Sequence, residues 1–386
     1  MMKIPALFVL FFLCIPLLAQ AEDEYAGFPT PQANFQAHIE EVEQYLLRTQ
    51  MSQRNAAAVQ LNIPFERTAS PMVNYRGRFL LIHGLNDSAY AFNDVADALT
   101  QRGFDVRAIL LPGHGNSPAA QLNMTHKRWL ASARLQLSFW NEQSTAPLYL
   151  GGFSMGAVIA TILALENDEV GGLLLFSPAY KSRMNHLLRW SSIYARFKPW
   201  MFGGMIIEDN PTKYNSIPIN GAAQYYKLTK TLRRSWRGRS LDMPVFAVAS
   251  SDDSVVDIEF LIRVFKNRFT SENKQLIVYT NNEDEIDIAS IVYRSSAYPE
   301  KRIINQSHQG VLMSSANPLF GEDGSVLVCN GNDWPTFSGC LYSRENHWFG
   351  AQHTPSPDDI PVARTTYNPD FEFMFEKFDS VFGTDQ

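Results

Sequence analysis

The sequence predicts an α/β fold: a mostly parallel sheet flanked by helices. Two observations carry this. Short apolar runs alternate with helix-length amphipathic stretches, and a Gly-x-Ser-x-Gly turn stands between one such run and the apolar stretch after it. Strands joined by crossover helices run parallel, and helices then cover both faces of the sheet.

Each element follows from its residues. Arg78 to Leu85 (RFLLIHGL) is a continuous apolar run ending in His-Gly, the pattern of a strand buried on both faces. From Asp87 to Arg102, the residues Tyr90, Phe92, Val95 and Leu99 recur at near-helical spacing, and Gly103 closes the element. Phe104 to Leu111 reads as a strand and Thr125 to Gln143 as a helix. Leu148 to Phe153 and Gly171 to Phe176 read as strands on either side of an apolar helix, Gly156 to Leu165. Pro244 to Ala249, Ile258 to Phe269 and Lys274 to Thr280 then repeat strand, helix, strand. Ligands of such sheets bind at the carboxyl ends of the strands, so the loops there are where chemistry is expected.

The N-terminus has the parts of a cleavable secretory signal: Lys3, a mostly apolar stretch from Ile4 to Leu18, and Ala19-Gln20-Ala21 before an acidic run. Cleavage is expected after Ala21, which would make the protein periplasmic or secreted, and an uncleaved anchor is the alternative. The run is a little short for a membrane span, which needs about 20 apolar residues. Cys14 follows Leu13, where a lipoprotein signal requires a small residue, so it falls in the removed segment. Cys329 and Cys340 are then expected to pair, because disulfides persist in that compartment; two unpaired structural thiols are the alternative. No Cys-x-x-Cys or Cys/His spacing points to a metal, and no cofactor is implied.

Charge is uneven along the chain. The formal net charge is −6, yet residues 181–240 hold twelve Lys/Arg against two Asp/Glu, while residues 311–386 hold three against eleven. This argues against a general nucleic-acid binder and for one electropositive face.

GGFSMGAV (151–158) is the chemical centre. Gly152 and Gly156 lack side chains that would block a sharp strand-to-helix turn, and such a turn lifts the Ser154 hydroxyl above the sheet. The helix behind it aims its positive end at an anion. A serine hydroxyl needs a base, and the base needs an orienting carboxylate. In this fold class the chain order is Ser, Asp or Glu, then His. The run VFAVASSDDSVVD offers Asp253 just beyond a strand, two residues before the apolar Val255-Val256, with Asp252 as the alternative. Of the histidines beyond it, His308 (IINQSHQG) follows an apolar segment and precedes Gly310, whereas His347 and His353 sit in a Pro- and Asn-rich stretch as surface or packing residues. His83 and His114 precede the serine and read as residues that hold turn geometry. The oxyanion donors expected are the backbone N–H groups of Met155 and Leu85.

The segments FLLIHGLNDSAYAFNDVADALTQRGFDVRAILLPGHGNS, GGFSMGAV, SSDDSVVD and NQSHQG together resemble the α/β-hydrolase superfamily, within it the branch of lysophospholipases, monoacylglycerol lipases and serine aminopeptidases. The likeness covers roughly residues 75–180 and 240–312. It implies a catalytic triad of Ser154, Asp253 and His308, oxyanion donors at Leu85 and Met155, and a cap between two core strands. The chain then divides into a signal peptide (1–21), an N-terminal helical segment (22–74), the core (75–180 and 241–312), the cap (181–240) and a C-terminal extension (313–386) with the Cys329–Cys340 pair. Two departures stand out. The interval from Asp253 to His308 is long, with an acidic insert beginning at Asn281, and the extension has no counterpart in the compact family pattern.

The cap interval holds nine aromatics, among them Trp190, Trp200, Phe202 and Trp236, mixed with its basic excess. That mixture suits a lipid-like ester with an anionic head group, or peripheral contact with an anionic membrane surface; an ordinary helical lid is the plainer reading. The expected function is hydrolysis of carboxylic esters such as monoacylglycerols or lysophospholipids. The alternatives are a peptidase that trims N-terminal residues, which must also hold an ammonium group, and a non-catalytic binding protein on a hydrolase scaffold.

Overall fold

One eight-stranded sheet is built from β1 (Phe65–Arg67), β2 (Gly77–Ile82), β3 (Phe104–Ile109), β4 (Leu148–Phe153), β5 (Val170–Phe176), β6 (Val245–Ser250), β7 (Lys274–Thr280) and β8 (Ile291–Ser295). The six apolar runs become β2–β7. The short edge strands β1, within the N-terminal segment expected to be helical, and β8, after the acidic insert, are additions not expected from the sequence. The structure is a computed structural model that describes residues 27–49, 56–201, 203–208, 210–282, 288–329, 347–357 and 360–383. The signal peptide, Phe202, residues 283–287 of the acidic insert and Cys340 lie outside the described residues.

The strand order is β1-β3-β2-β4-β5-β6-β7-β8. Every neighbouring pair is parallel except β1 with β3. This is the α/β-hydrolase fold expected from the sequence. Among the described residues the helices are α1 (Phe35–Thr49), α2 (Ala56–Gln60), α3 (Asn93–Thr100), α4 (His126–Glu142), α5 (Met155–Glu166), α6 (Asn185–Leu188), α7 (Ser191–Tyr194), α8 (Ile219–Ser235), α9 (Ile258–Arg268) and α10 (Phe371–Phe382).

Two further elements differ from the sequence expectation. The first long strand stops at Ile82 rather than Leu85, because His83 and Gly84 turn out of the sheet. The helix expected over Asp87–Arg102 is a short 3-10 turn, Ala89–Phe92, followed by α3, because the buried turn that the Asp87 N–H closes on the Gly84 carbonyl is followed by an extended Ser88 (φ −140°, ψ −179°), so helical backbone starts only at Ala89.

Each face of the sheet has its own core. On one face α4, α5, α8 and α9 pack through Leu137, Val158, Ile162, Leu228, Leu261 and Phe265. Helix α5 is apolar on every side because it lies between the sheet and α8, so it has no face left for water. The other face is covered by α3 and by α10 at the end of the chain. Phe378 of α10 meets the rings of Phe79, Phe104 and Phe246, each at 6.0 Å between centroids. Residues beyond His308 therefore supply a layer of the core. Among the described residues, no helix is long and apolar enough to cross a membrane.

Candidate active site

The site grows from the turn between β4 and α5. A Cβ at Gly156 would lie 1.8 Å from the Ile82 carbonyl oxygen, and one at Gly152 would lie 2.5 Å from the Ala157 backbone nitrogen. Only glycine permits this approach. The chain turns so sharply that Ser154 takes φ 54° and ψ −115°. A non-glycine residue held there costs about 1–3 kcal/mol, which the surrounding structure must offset. It does so with backbone bonds: the Ser154 N–H donates to the Phe176 carbonyl at 2.9 Å, and the Ser154 carbonyl accepts the Ala179 N–H at 3.2 Å.

His308 and Asp253 converge on this serine from two other strand-end loops. His308 Nε2 lies 2.9 Å from Ser154 Oγ, and His308 Nδ1 lies 2.5 Å from Asp253 Oδ2. The buried Asp253 is aimed by its own turn, since its Oδ1 accepts the N–H groups of Val255 at 2.7 Å and Val256 at 3.0 Å. The imidazole rests on Phe153 with ring centroids 5.1 Å apart. A hydroxyl, imidazole and carboxylate in this series can pass the hydroxyl proton to Nε2 while the carboxylate holds Nδ1–H.

Asp252, the alternative acid, points elsewhere. Its Oδ2 accepts the Ser296 hydroxyl at 2.9 Å, and burial raises its pKa. His353 is exposed, and His347 is buried beside a short parallel pair formed by β9 (Trp348–Gly350) and β10 (Val362–Arg364), while the histidine bonded to the serine is His308.

The loop after β2 closes the other side. A Cβ at Gly84 would lie 3.2 Å from the Ser154 Cβ, so the His-Gly turn sits against the serine. Among the described residues, neither the Leu85 nor the Met155 N–H donates to another protein group. His83 holds the turn. Its Nε2 accepts the Leu111 N–H at 3.0 Å, which leaves the proton on Nδ1 to donate to the Gly84 carbonyl at 2.8 Å. Burial pushes this imidazole down to about 4, so it stays neutral. His114, packed against it at 4.8 Å, is pushed well below the usual histidine range by burial and by His83.

A buried charged group here gave no signal in the sequence. Asp87 follows the Leu85-Asn86 turn, and burial raises its carboxyl to about 6, opposed by the charge of Lys213, the Ser88 N–H and His308. Lys213 comes from the cap interval and donates to Gln309 Oε1 at 2.8 Å, beside His308. The same cap segment is fastened to the Leu85 loop: the Tyr214 N–H donates to the Asn86 carbonyl at 2.7 Å, and Asn86 Nδ2 donates to the Ser216 carbonyl at 3.2 Å. Arg183, at the start of the cap, donates to the Asp253 carbonyl at 2.9 Å. Among the described residues, no group of His, Cys, Asp and Glu side chains could hold a metal ion.

Residues 74–283 match the family described as serine aminopeptidase, S33. That stretch holds Ser154 and Asp253 and ends before His308. No curated protein matches the chain. Among solved structures, one of the metagenome-derived lipolytic enzymes LipS and LipT is 19% identical, covers 56% of this chain and 86% of its own, and has a TM-score of 0.48. A soluble variant of monoglyceride lipase from Saccharomyces cerevisiae is 16% identical, covers 57% of this chain and 81% of its own, and has a TM-score of 0.43. The Paleococcus ferrophilus monoacylglycerol lipase is 18% identical, covers 56% and 89% of the two chains, and has a TM-score of 0.45.

The Asp87 environment yields a pH prediction. Its carboxyl titrates near 3.8 when unfolded and about 6 when folded, so the unfolded chain ionises first as pH rises and the group's contribution to stability falls between about pH 4 and 6. In chemical denaturation, the unfolding free energy of wild type minus that of Asp87→Asn should decline across this window and level off above it. A difference independent of pH would contradict the assignment.

Proposed function

The chain belongs to the serine aminopeptidase S33 family of α/β-hydrolases, and we propose that within it the protein is a serine hydrolase of carboxylic esters, working through an acyl-enzyme on Ser154. The observation that carries the reading is the series Ser154–His308–Asp253 at 2.9 and 2.5 Å. His308 takes the hydroxyl proton as Ser154 attacks the carbonyl carbon. Asp253 keeps Nδ1 protonated and stabilises the imidazolium. The N–H groups of Leu85 and Met155, the latter at the first turn of α5, receive the developing oxyanion. The imidazolium then protonates the leaving alcohol, and water repeats the sequence to release the acid.

Two observations favour a lipid-like ester over a peptide. A peptidase that trims N-termini must hold an ammonium group, and Asp87, the buried carboxylate beside the Leu85 turn, already faces the charge of Lys213. The outer cap exposes Leu187, Trp190, Ile193, Tyr194 and, at 79%, Phe197. Arg189, Arg196 and Lys198 stand among them, and residues 181–207 contain no Asp or Glu. An apolar surface edged with cations fits the face of an anionic lipid layer.

The triad reading is tested by substitution. Ser154→Ala should lower ester turnover by several orders of magnitude in a folded protein. Asp253→Asn should lower it far more than Asp252→Asn, because only the carboxylate on Nδ1 sets the imidazole tautomer. Near-normal turnover in Ser154→Ala, or the reverse ranking of the two aspartates, would contradict these roles.

The cap reading is tested by salt. Hydrolysis of lipid esters on anionic vesicles should weaken as ionic strength rises beyond about 0.1 M, where exposed charges about 10 Å apart are largely screened. Hydrolysis of a short neutral ester should stay constant. Equal salt sensitivity for both substrates would leave the cap as an ordinary lid.

A further inference from the structure

The loop that carries His308 is held from the sheet side by two hydroxyls. Ser177 Oγ donates to the His308 carbonyl at 2.9 Å, and Ser250 Oγ donates to the Gln306 carbonyl at 2.8 Å. From the other side it is gripped by the C-terminal segment, residues 347–357 and 360–367, which lies beyond the stretch that matches the family. The Ile304 N–H donates to the Phe349 carbonyl and the Phe349 N–H to the Arg302 carbonyl, both at 2.8 Å. Asn305 is the hub. Its Oδ1 accepts the Ala351 N–H at 2.7 Å and Thr354 Oγ1 at 3.1 Å, while its carbonyl accepts Thr365 Oγ1 at 2.7 Å. The Asn305 side chain also bonds Asp252 on the acid loop.

Ser307 completes the grip next to the imidazole. Its Oγ donates to the Thr365 carbonyl at 2.6 Å and accepts the N–H groups of Gln309 and Gly310 at 3.2 Å, so one hydroxyl braces the residues around His308 and ties them to the segment. Ser254, beside Asp253, reaches the same segment through Gln352 at 3.3 Å. Thr365 and Ser307 are fully buried, and both hydroxyls donate, so these bonds are sheltered from competing water.

We propose that the described residues 347–357 and 360–367 form a clamp that positions His308 between Ser154 and Asp253, with Thr365 and Ser307 as the positioning residues of this contact. Neither touches the reacting atoms; each acts through the backbone that aims the imidazole. The requirement is geometric, since a misplacement of about 1 Å can cost about a hundredfold in rate. A loop tied only to the sheet could swing about its two anchored carbonyls, and the clamp removes that freedom. This proposal rests on the triad reading and extends it to residues outside the family match.

The test uses the full purified chain and a p-nitrophenyl ester, with turnover expressed per active site titrated by a fluorophosphonate. That normalisation separates a lower rate per competent site from a smaller number of folded sites. Thr365→Val keeps the shape of the side chain and deletes its hydroxyl, and kcat should fall about tenfold or more with KM unchanged. Thr365→Ser should restore kcat. Ser307→Ala, a smaller change, should lower kcat in the same direction and keeps the test open if the valine variant fails to fold. Unchanged kcat per site in the folded Thr365→Val and Ser307→Ala variants overturns the clamp while leaving the triad standing. A serine variant as slow as the valine variant overturns the role of the hydroxyl. Wild-type protein without ester turnover or labelling overturns the triad reading and the clamp together.

Discussion

The constraint on which the site depends is the contact between the first turn of α5 and the end of β2. There the Gly156 backbone comes so near the Ile82 and His83 carbonyls that no side chain fits between them. The chain must then reverse within the Gly152–Gly156 turn, and Ser154 takes the left-handed φ that this reversal demands. The same contact brings Gly84 against Ser154. An N–H at the start of a helix also becomes available beside the hydroxyl, where the positive end of the helix favours developing negative charge.

Around this fixed point the site is a seam of three pieces distant in sequence. The Leu85 loop is braced by neutral His83, the cap segment around Lys213 is fastened to that loop, and the histidine loop is gripped by the C-terminal segment. The charges at the seam are balanced locally, with Asp87 facing Lys213, and Asp253 near Arg183 and Arg364. Burial of such groups is tolerable only in pairs, because an unmatched charge in a dry site is strongly disfavoured.

The sequence was most legible where structure is local. Apolar runs of six or seven residues gave the central strands, and the Gly-x-Ser-x-Gly spacing marked the turn because glycine is the only residue that such an approach admits. Chain order and position at strand ends singled out Asp253 and His308, which the structure brings to Ser154. Legibility failed where contacts are long-range. Nothing near Asp87 in sequence announces Lys213, more than a hundred residues later. Phe349 of β9, which bonds Arg302 and Ile304 ahead of His308, is equally unannounced in the sequence around that histidine, and the half-exposed edge strands β1 and β8 are too short to show a period. Helix α10 carries a strong aromatic stripe, but only the second face of the sheet explains what that stripe covers.

The central claim is that Ser154 is a nucleophile activated by its setting rather than a serine packed in a tight turn. The most direct measurement is covalent labelling of the folded wild-type protein with a fluorophosphonate, with the modified residue located by peptide mass spectrometry. The account predicts one adduct per chain, on the peptide that contains Ser154, formed much faster than with His308→Ala. Absence of any adduct on the folded chain, or an adduct at another residue, would contradict it.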